Sequence, residues 1–304
     1  MKSSKPYPIK SISQFHELRG LPRPEHPLIS VVNAREVSKL DAHTAFFVLD
    51  FYCILLKRTP GVSYKYGQGD YDFQDGVMFF IKPNQVIGFT VSPNAEVPSG
   101  WMLLIHPDFL WNTHLIKALE KYEFFDYTVN EALFLSQKEE AMLGSIIESI
   151  QGEYHSNIDK FSKQIIISHI ECLLNYSERF YHRQFITREK VNHHLLDRLD
   201  KLLTDRLDSN NPVRQGLPTV QSICDDLNIS MSYLSRVLKL LTGQSTQQFI
   251  QDKVIAKAKE KLSTTDRSVS EIAYELGFEH PQSFTRLFKT KTRLSPLAFR
   301  QSFN

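Results

Sequence analysis

Apolar residues along the chain follow two different periods, and the change between them divides the sequence. From about Ala45 to His106, apolar runs (FFVLDFYCILL, VMFFI, VIGF, WMLLI) alternate with turn clusters at residues 59–61, 67–70, 75–76, 82–84 and 92–100. Runs of strand length at such spacing predict a small β-sandwich or barrel. The stretch before them, residues 1–40, is Pro-rich and reads as irregular. From Ser136 the period becomes helical. Met142, Ile146, Ile147 and Ile150 share one face, and Phe161, Ile165, Ser168 and Cys172 share another, continuing towards Tyr176 and Phe180. Ser136 and Glu139 form a capping-box pair that opens the first of these helices. The loop at residues 152–159 turns the chain into an antiparallel hairpin, which either closes the open side of the barrel or forms a dimer contact. A third helix, residues 189–207, carries Val191, Leu195, Leu199, Leu202 and Leu203 on one side and ends before Pro212. The boundary between the two halves is expected near residues 185–189.

The last third of the chain repeats itself. Ile223-Cys224-Asp225-Asp226-Leu227-Asn228-Ile229 aligns with Ile272-Ala273-Tyr274-Glu275-Leu276-Gly277-Phe278, and Leu234-Ser235-Arg236-Val237-Leu238-Lys239 aligns with Phe284-Thr285-Arg286-Leu287-Phe288-Lys289. Each copy has the grammar of a helix-turn-helix. Thr219 caps a short helix, Asn228 tolerates the tight turn, Ser230 caps a second helix and Gly243 ends it. In the second copy Ser268 and Glu271 form a capping box, Gly277 supplies the turn, and Pro281 suits the first helical position. Leu234, Val237 and Leu238, then Phe284, Leu287 and Phe288, take the inward face. Ser232, Ser235, Arg236 and Lys239, then Gln282, Ser283, Arg286 and Lys289, take the outward one. An Arg in mid-helix pairs bidentately with guanine, and Gln reads adenine. Lys239 and Lys289, a turn further on, would meet phosphates. A lone Arg on a helix is usually a solvated one; two matched copies argue otherwise. Residues 246–262 read as a single helix between the copies, about 25 Å long. That length suits two recognition helices in successive major grooves.

Composition narrows the picture. A chain of 304 residues suits two domains. The net charge of +2 alone implies no polyanionic partner, but residues 217–304 hold 12 Lys/Arg against 8 Asp/Glu, so the basic excess sits in the repeated segment. Twenty of the 35 aromatic residues precede residue 128, which fits either a filled barrel core or an aromatic-walled ligand pocket. Cys53, Cys172 and Cys224 are scattered, so neither a disulfide framework nor a zinc pattern is present. The start lacks a signal-type apolar segment, and no apolar run approaches a membrane span. A reducing, cytoplasmic compartment is expected. A catalytic cupin would need clustered ligands, yet the sequence has no His-x-His. His43, His106 and His114 are dispersed, and His193 and His194 point about 100° apart on a helix. With no P-loop, dinucleotide fingerprint or nucleophile elbow either, no enzyme is expected, and no metal or cofactor is assigned.

Residues from about 198 to 300 resemble the AraC/XylS family of bacterial transcription regulators. The resemblance rests on Ile272-Ala273-x-x-Leu276-Gly277-Phe278, on Phe284-x-Arg286-x-Phe288-Lys289 and on Ser295-Pro296-x-x-Phe299-Arg300. It implies that Ser232, Ser235, Arg236, Gln282, Ser283 and Arg286 face base edges. Phosphate contacts are assigned to Ser230, Tyr233, Lys239, Thr285, Lys289 and Lys291. Three positions depart from the family pattern. Arg293 stands where Gly is common, which either weakens the helix cap or adds a phosphate contact. Lys253 replaces a common Arg, and Pro281 replaces a frequent base reader.

The strands and hairpin of the first half resemble, more loosely, the cupin-like sensing and dimerisation domain of that family. The expected fold is therefore α+β. A cupin-like β-rich domain spans residues 1–135 and a helical hairpin 136–187. An all-α domain spans 188–304, with helix-turn-helices at 219–242 and 269–290. The expected function is a sequence-specific, effector-responsive regulator of promoter DNA, more often an activator in this family. RNA polymerase, a small effector and a second copy of the chain are its expected partners. Two other classes compete: a cupin-type metalloenzyme tethered to DNA, and an architectural binder without base specificity.

Overall fold

The short apolar runs of the first half become strands because β-branched and aromatic residues pack well on a pleated surface. The computed structural model describes residues 6–37, 45–58, 64–66, 69–71, 76–89, 99–127, 131–156, 159–187, 189–208 and 216–302. The turn cluster at 59–61, most of that at 92–100, His43 and the helix stop at Pro212 lie outside them. The chain divides into two compact units, residues 1–187 and 188–304.

In the first unit the strands are β1 (Tyr7–Ile9), β2 (Ile29–Asn33), β3 (Ala45–Leu49), β4 (Tyr52–Arg58), β5 (Tyr64–Tyr66), β6 (Gly69–Tyr71), β7 (Val77–Ile81), β8 (Val86–Phe89), β9 (Ser99–Ile105) and β10 (Leu133–Phe134). The helices are α1 (Ile12–Leu18), α2 (Leu115–Leu119), α3 (Gln137–Tyr154) and α4 (Ser162–Thr187). The strands form a five-stranded sheet, β10-β7-β4-β9-β2, a three-stranded sheet, β1-β3-β8, and the β5-β6 pair. Among the described residues they do not close into one barrel. The two larger sheets share a core that includes Ile12, Phe47, Phe51, Cys53, Met102 and Leu104. The opposite face of the five-stranded sheet meets α4, where Phe80 lies 6.1 Å from Tyr181 between ring centroids. Both faces of β4 are therefore buried, which explains its unbroken apolar run.

Ser136 and Glu139 form the capping box that opens α3. Arg183 of α4 reaches the same turn, donating to both Glu139 oxygens at 3.0 and 2.6 Å. Gln184, buried in α4, accepts from Phe134 N at 2.8 Å and donates to Ala132 O at 3.1 Å, so the edge strand β10 ends on a side-chain amide. The buried face of α4 keeps Phe180 of the stripe the spacing suggests but is otherwise shifted from it. Ile166, Ile167, Ile170, Leu173 and Leu174 are inside, while Phe161 and Ile165 are 57% and 40% exposed. The run Ile165-Ile166-Ile167 offers either face equally, and packing against the sheet selects one. Met142 is likewise 41% exposed.

A cleft of about 450 Å³ lies between β2, α3 and residues 21–25. His16 and Ser30, both buried, hold each other at its inner end through Nε2 and Oγ, 3.0 Å apart. The indole Nε1 of Trp101, which lines it, is buried without a hydrogen-bond partner among the described residues. Gly144 lines it from α3, and a Cβ there would meet nothing within 4 Å.

The second unit is all helix: α5 (Glu189–Asp208), α6 (Val220–Leu227), α7 (Met231–Thr242), α8 (Thr246–Thr264), α9 (Val269–Glu275), α10 (Pro281–Thr292) and α11 (Pro296–Gln301). α5 buries Leu195, Leu199, Leu203 and Leu207. It packs on α6, α7 and α8, and α8 also packs on α9, α10 and α11. The 19 residues of α8 span about 28 Å, so one helix serves both helix-turn-helices. No described helix is long and apolar enough to cross a membrane.

Candidate nucleic-acid interface

Both copies are built by the same local devices. Thr219 and Ser222 form a capping box at α6, and Ser268 and Glu271 form one at α9. Each such cap is worth about 1 kcal/mol. The turns match bond for bond: Ile229 N donates to Cys224 O, and Phe278 N to Ala273 O, both at 3.0 Å. These are the six-to-one bonds of a Schellman ending. The left-handed residue is Asn228, φ 57°, in one copy and Gly277, φ 87°, in the other. Ser230 Oγ then accepts from Tyr233 N at 3.1 Å to start α7, while Pro281 opens α10. Leu234, Val237 and Leu238 are buried under α7. Under α10, Phe284 and Phe288 are fully buried, with Phe278 and Phe299 edge-on to them at 5.4 Å.

This packing decides what α7 and α10 show to solvent. Ser235, Lys239, Gln282, Ser283, Arg286 and Lys289 are exposed; Ser230, Ser232, Arg236 and Thr285 are partly buried. Tyr233 is different. Only 2% of it is accessible, so its ring belongs to the core. Lys291 is held by Asp252 Oδ1 at 2.8 Å. Lys239 donates to Gly243 O at 3.0 Å and so caps its own helix.

Three anchors escape sequence reasoning. Asp252, on α8, holds Lys291 of α10 through one oxygen and Gln244, just after α7, through the other at 3.0 Å. One carboxylate thus ties the C-terminal ends of both helices, and no periodicity marks it. Arg300 donates to Leu262 O at 3.2 Å and Arg267 O at 2.6 Å, closing the end of α8. Glu275 takes hydrogen bonds from Arg267 and from Lys261. Burial pushes its carboxyl up, but these cations outweigh burial and hold it below the usual range. Asp252→Ala is expected to cost no more than about 1 kcal/mol, because the pair is near solvent. Its affinity for DNA carrying two boxes is expected to fall more than for DNA carrying one. Denaturant titration beside binding to both duplexes checks this.

Gly277 lies tight against the segment that leads into the first copy. A Cβ there would lie 2.6 Å from the carbonyl carbon of Gly216 and 2.7 Å from Leu217 N, in the segment that enters α6. The turn of the second copy therefore rests on the backbone of the segment entering the first. Among the described residues, no group of three or more His, Cys, Asp or Glu is placed to hold a metal.

Two matched helix-turn-helices sharing α8, each turning a polar helix face to solvent, define a double helix-turn-helix domain. A family model described as a helix-turn-helix domain matches residues 223–302. The match lies wholly within the second unit, which is an AraC-type helix-turn-helix domain. An uncharacterised HTH-type transcriptional regulator of Bacillus subtilis, YfiF, is 26% identical over 197 residues, 65% of this chain and 50% of that protein. The raffinose operon transcriptional regulatory protein RafR of Pediococcus pentosaceus is 33% identical over 84 residues, 28% of this chain and 30% of its own length. The HTH-type transcriptional activator RhaS of Citrobacter koseri is 36% identical over 81 residues, 27% and 29% of the two chains. The chain thus spans about half of the first relative and under a third of the other two.

Proposed function

We propose that the chain is a sequence-specific DNA-binding transcription regulator that reads two adjacent major grooves. The observation that carries this is the pair of recognition-type helices, α7 and α10, built alike and turning Ser, Gln and Arg outward from one unit. Ser232, Ser235 and Arg236 read one box; Gln282, Ser283 and Arg286 read the other. Ser230, Lys239, Thr285 and Lys289 face the backbone. Relatives named as transcriptional regulators support the reading. Selection of bound fragments from sheared genomic DNA, at physiological salt, tests it. A specificity ratio of about 10³ or more over random duplex is expected. Uniform recovery of DNA would replace regulation with architectural binding.

The proposal extends to the first unit. Residues 1–135 act as a cupin-like sensing part, residues 136–187 as a hairpin for self-association, and residues 188–304 as the DNA-binding part that meets RNA polymerase. Activation is supported by the RhaS relative. Self-association is supported by Phe161, just before α4, and Ile165, in its first turn, both exposed. An effector-responsive role is supported by the cleft beside Trp101, whose buried indole N–H lacks an acceptor among the described residues. The space between the two larger sheets is filled by side chains, so the cleft is the better-shaped receptor. Gly144→Leu would fill it while improving helix propensity by about 0.5–1 kcal/mol. Reporter output from a selected promoter is expected to become constant across growth conditions, with no fall in unfolding temperature. Wild-type regulation in this variant would remove the cleft from the reading.

A further inference from the structure

The two recognition helices end differently. α7 stops at Gly243, φ 72°, whose N–H donates to Lys239 O at 3.1 Å. The ammonium of Lys239 folds back onto the Gly243 carbonyl at 3.0 Å. α10 stops at Arg293, which adopts the same left-handed conformation, φ 64°, with its N–H on Lys289 O at 2.8 Å. Glycine takes this conformation without steric penalty; arginine does not. Arg293 and Lys289 are both exposed, and neither makes an ion pair among the described residues. The nearby Lys291 is engaged with Asp252. Arg293 is thus a solvent-facing cation, without an ion-pair partner among the described residues, in a conformation that glycine would take more easily.

Its position says what. Arg293 follows Arg286 by seven residues, close to two full turns. Arg293 is the capping residue just past the end of α10, so its Cα lies about 10 Å beyond that of Arg286 along the axis, with Lys289 between them in sequence. The major groove is about 12 Å wide. When Arg286 is at the base edges, a cation two turns on is at the phosphates of the groove wall.

We propose that Arg293 is a phosphate-binding residue and that, with Lys289, it makes the second copy the stronger backbone anchor. The first copy has a glycine and a self-capping lysine at the corresponding places. The proposal rests on the two-groove reading above.

The test uses the full-length chain, a selected two-box duplex and a random duplex, each titrated at several salt concentrations. Arg293→Gly installs the ending of the first copy and removes the strain, so its unfolding temperature is expected to hold or rise. It is expected to bind both duplexes about 5–10-fold more weakly near 0.1 M salt. The slope of log affinity against log salt is expected to fall by about 1, with the preference for the selected site unchanged. Arg293→Lys, which keeps the charge, is expected to restore most of the slope. Wild-type affinity and slope in Arg293→Gly would overturn the proposal. Failure of the wider reading looks different: the unaltered chain would show no preference for the selected duplex, and Arg286→Ala would change nothing. The Arg293 assignment would then fall with it.

Discussion

Gly277→Ala is expected to destabilise the second unit by roughly 2–5 kcal/mol, and to loosen the coupling between its two helix-turn-helices. Two costs combine. Alanine at φ 87° meets the left-handed penalty of about 1–2 kcal/mol. Its Cβ also strikes the Gly216 backbone at 2.6 Å, and backbone cannot rotate away as a side-chain tip can. Overpacking of this kind costs about 1–3 kcal/mol. Gly243 provides the control, since it is also left-handed, φ 72°, yet a Cβ there meets nothing within 4 Å. Gly243→Ala is therefore expected to cost only the first term. Denaturant unfolding of both variants, with m unchanged, separates the terms. Equal midpoints would mean that the contact with Gly216 is not tight. A consequence for binding follows: with the copies free to shift, a duplex with two correctly spaced boxes should lose its advantage over one with wrong spacing.

What could be read from the sequence was local. A capping box needs two residues three apart, and a left-handed turn needs Asn or Gly at one position. Thr219, Ser268, Asn228 and Gly277 announce the helix-turn-helices without tertiary information. The inward residues of α7 and α10 follow from helical period alone. What could not be read depends on contacts between distant segments. The spacing of Phe161, Ile165 and Cys172 is as regular as that of Ile166, Ile170 and Leu173, and only the sheet decides which is buried. Tyr233 sits beside Ser232 in sequence but a helix's width away in exposure. Lys291 follows Lys289 closely in sequence, yet Lys289 is exposed and Lys291 is held by Asp252, 39 residues earlier on α8. The order of the five-stranded sheet, in which β9 lies between β4 and β2, has no local signal either.

Arg236→Ala and Arg286→Ala are each expected to erase one box of the operator and spare the other. A bidentate Arg–guanine pair discriminates by about 1–3 kcal/mol, so each variant should lose roughly fivefold to more than a hundredfold preference at its own base pair. Arg236 is partly buried and Arg286 exposed, which makes the first the more confined reader and its loss the larger. Charge and geometry are separable. Lysine keeps the positive charge but lacks the planar fork. Arg236→Lys and Arg286→Lys should therefore retain the salt slope of the unaltered chain while losing base discrimination. Scanning single-base changes through a selected site with all four variants checks this. Loss confined to one box in each case establishes two independent readers on one unit. A uniform drop across the site would demote these arginines to backbone contacts. The double variant Arg236→Ala with Arg286→Ala then asks whether the readers are coupled. Distant sites add within about 0.5 kcal/mol. Both helices are tied to α8 through Asp252, and the turn of the second copy touches the segment entering the first at Gly277. A shortfall from additivity would therefore measure how far that shared frame passes the loss of one groove on to the other.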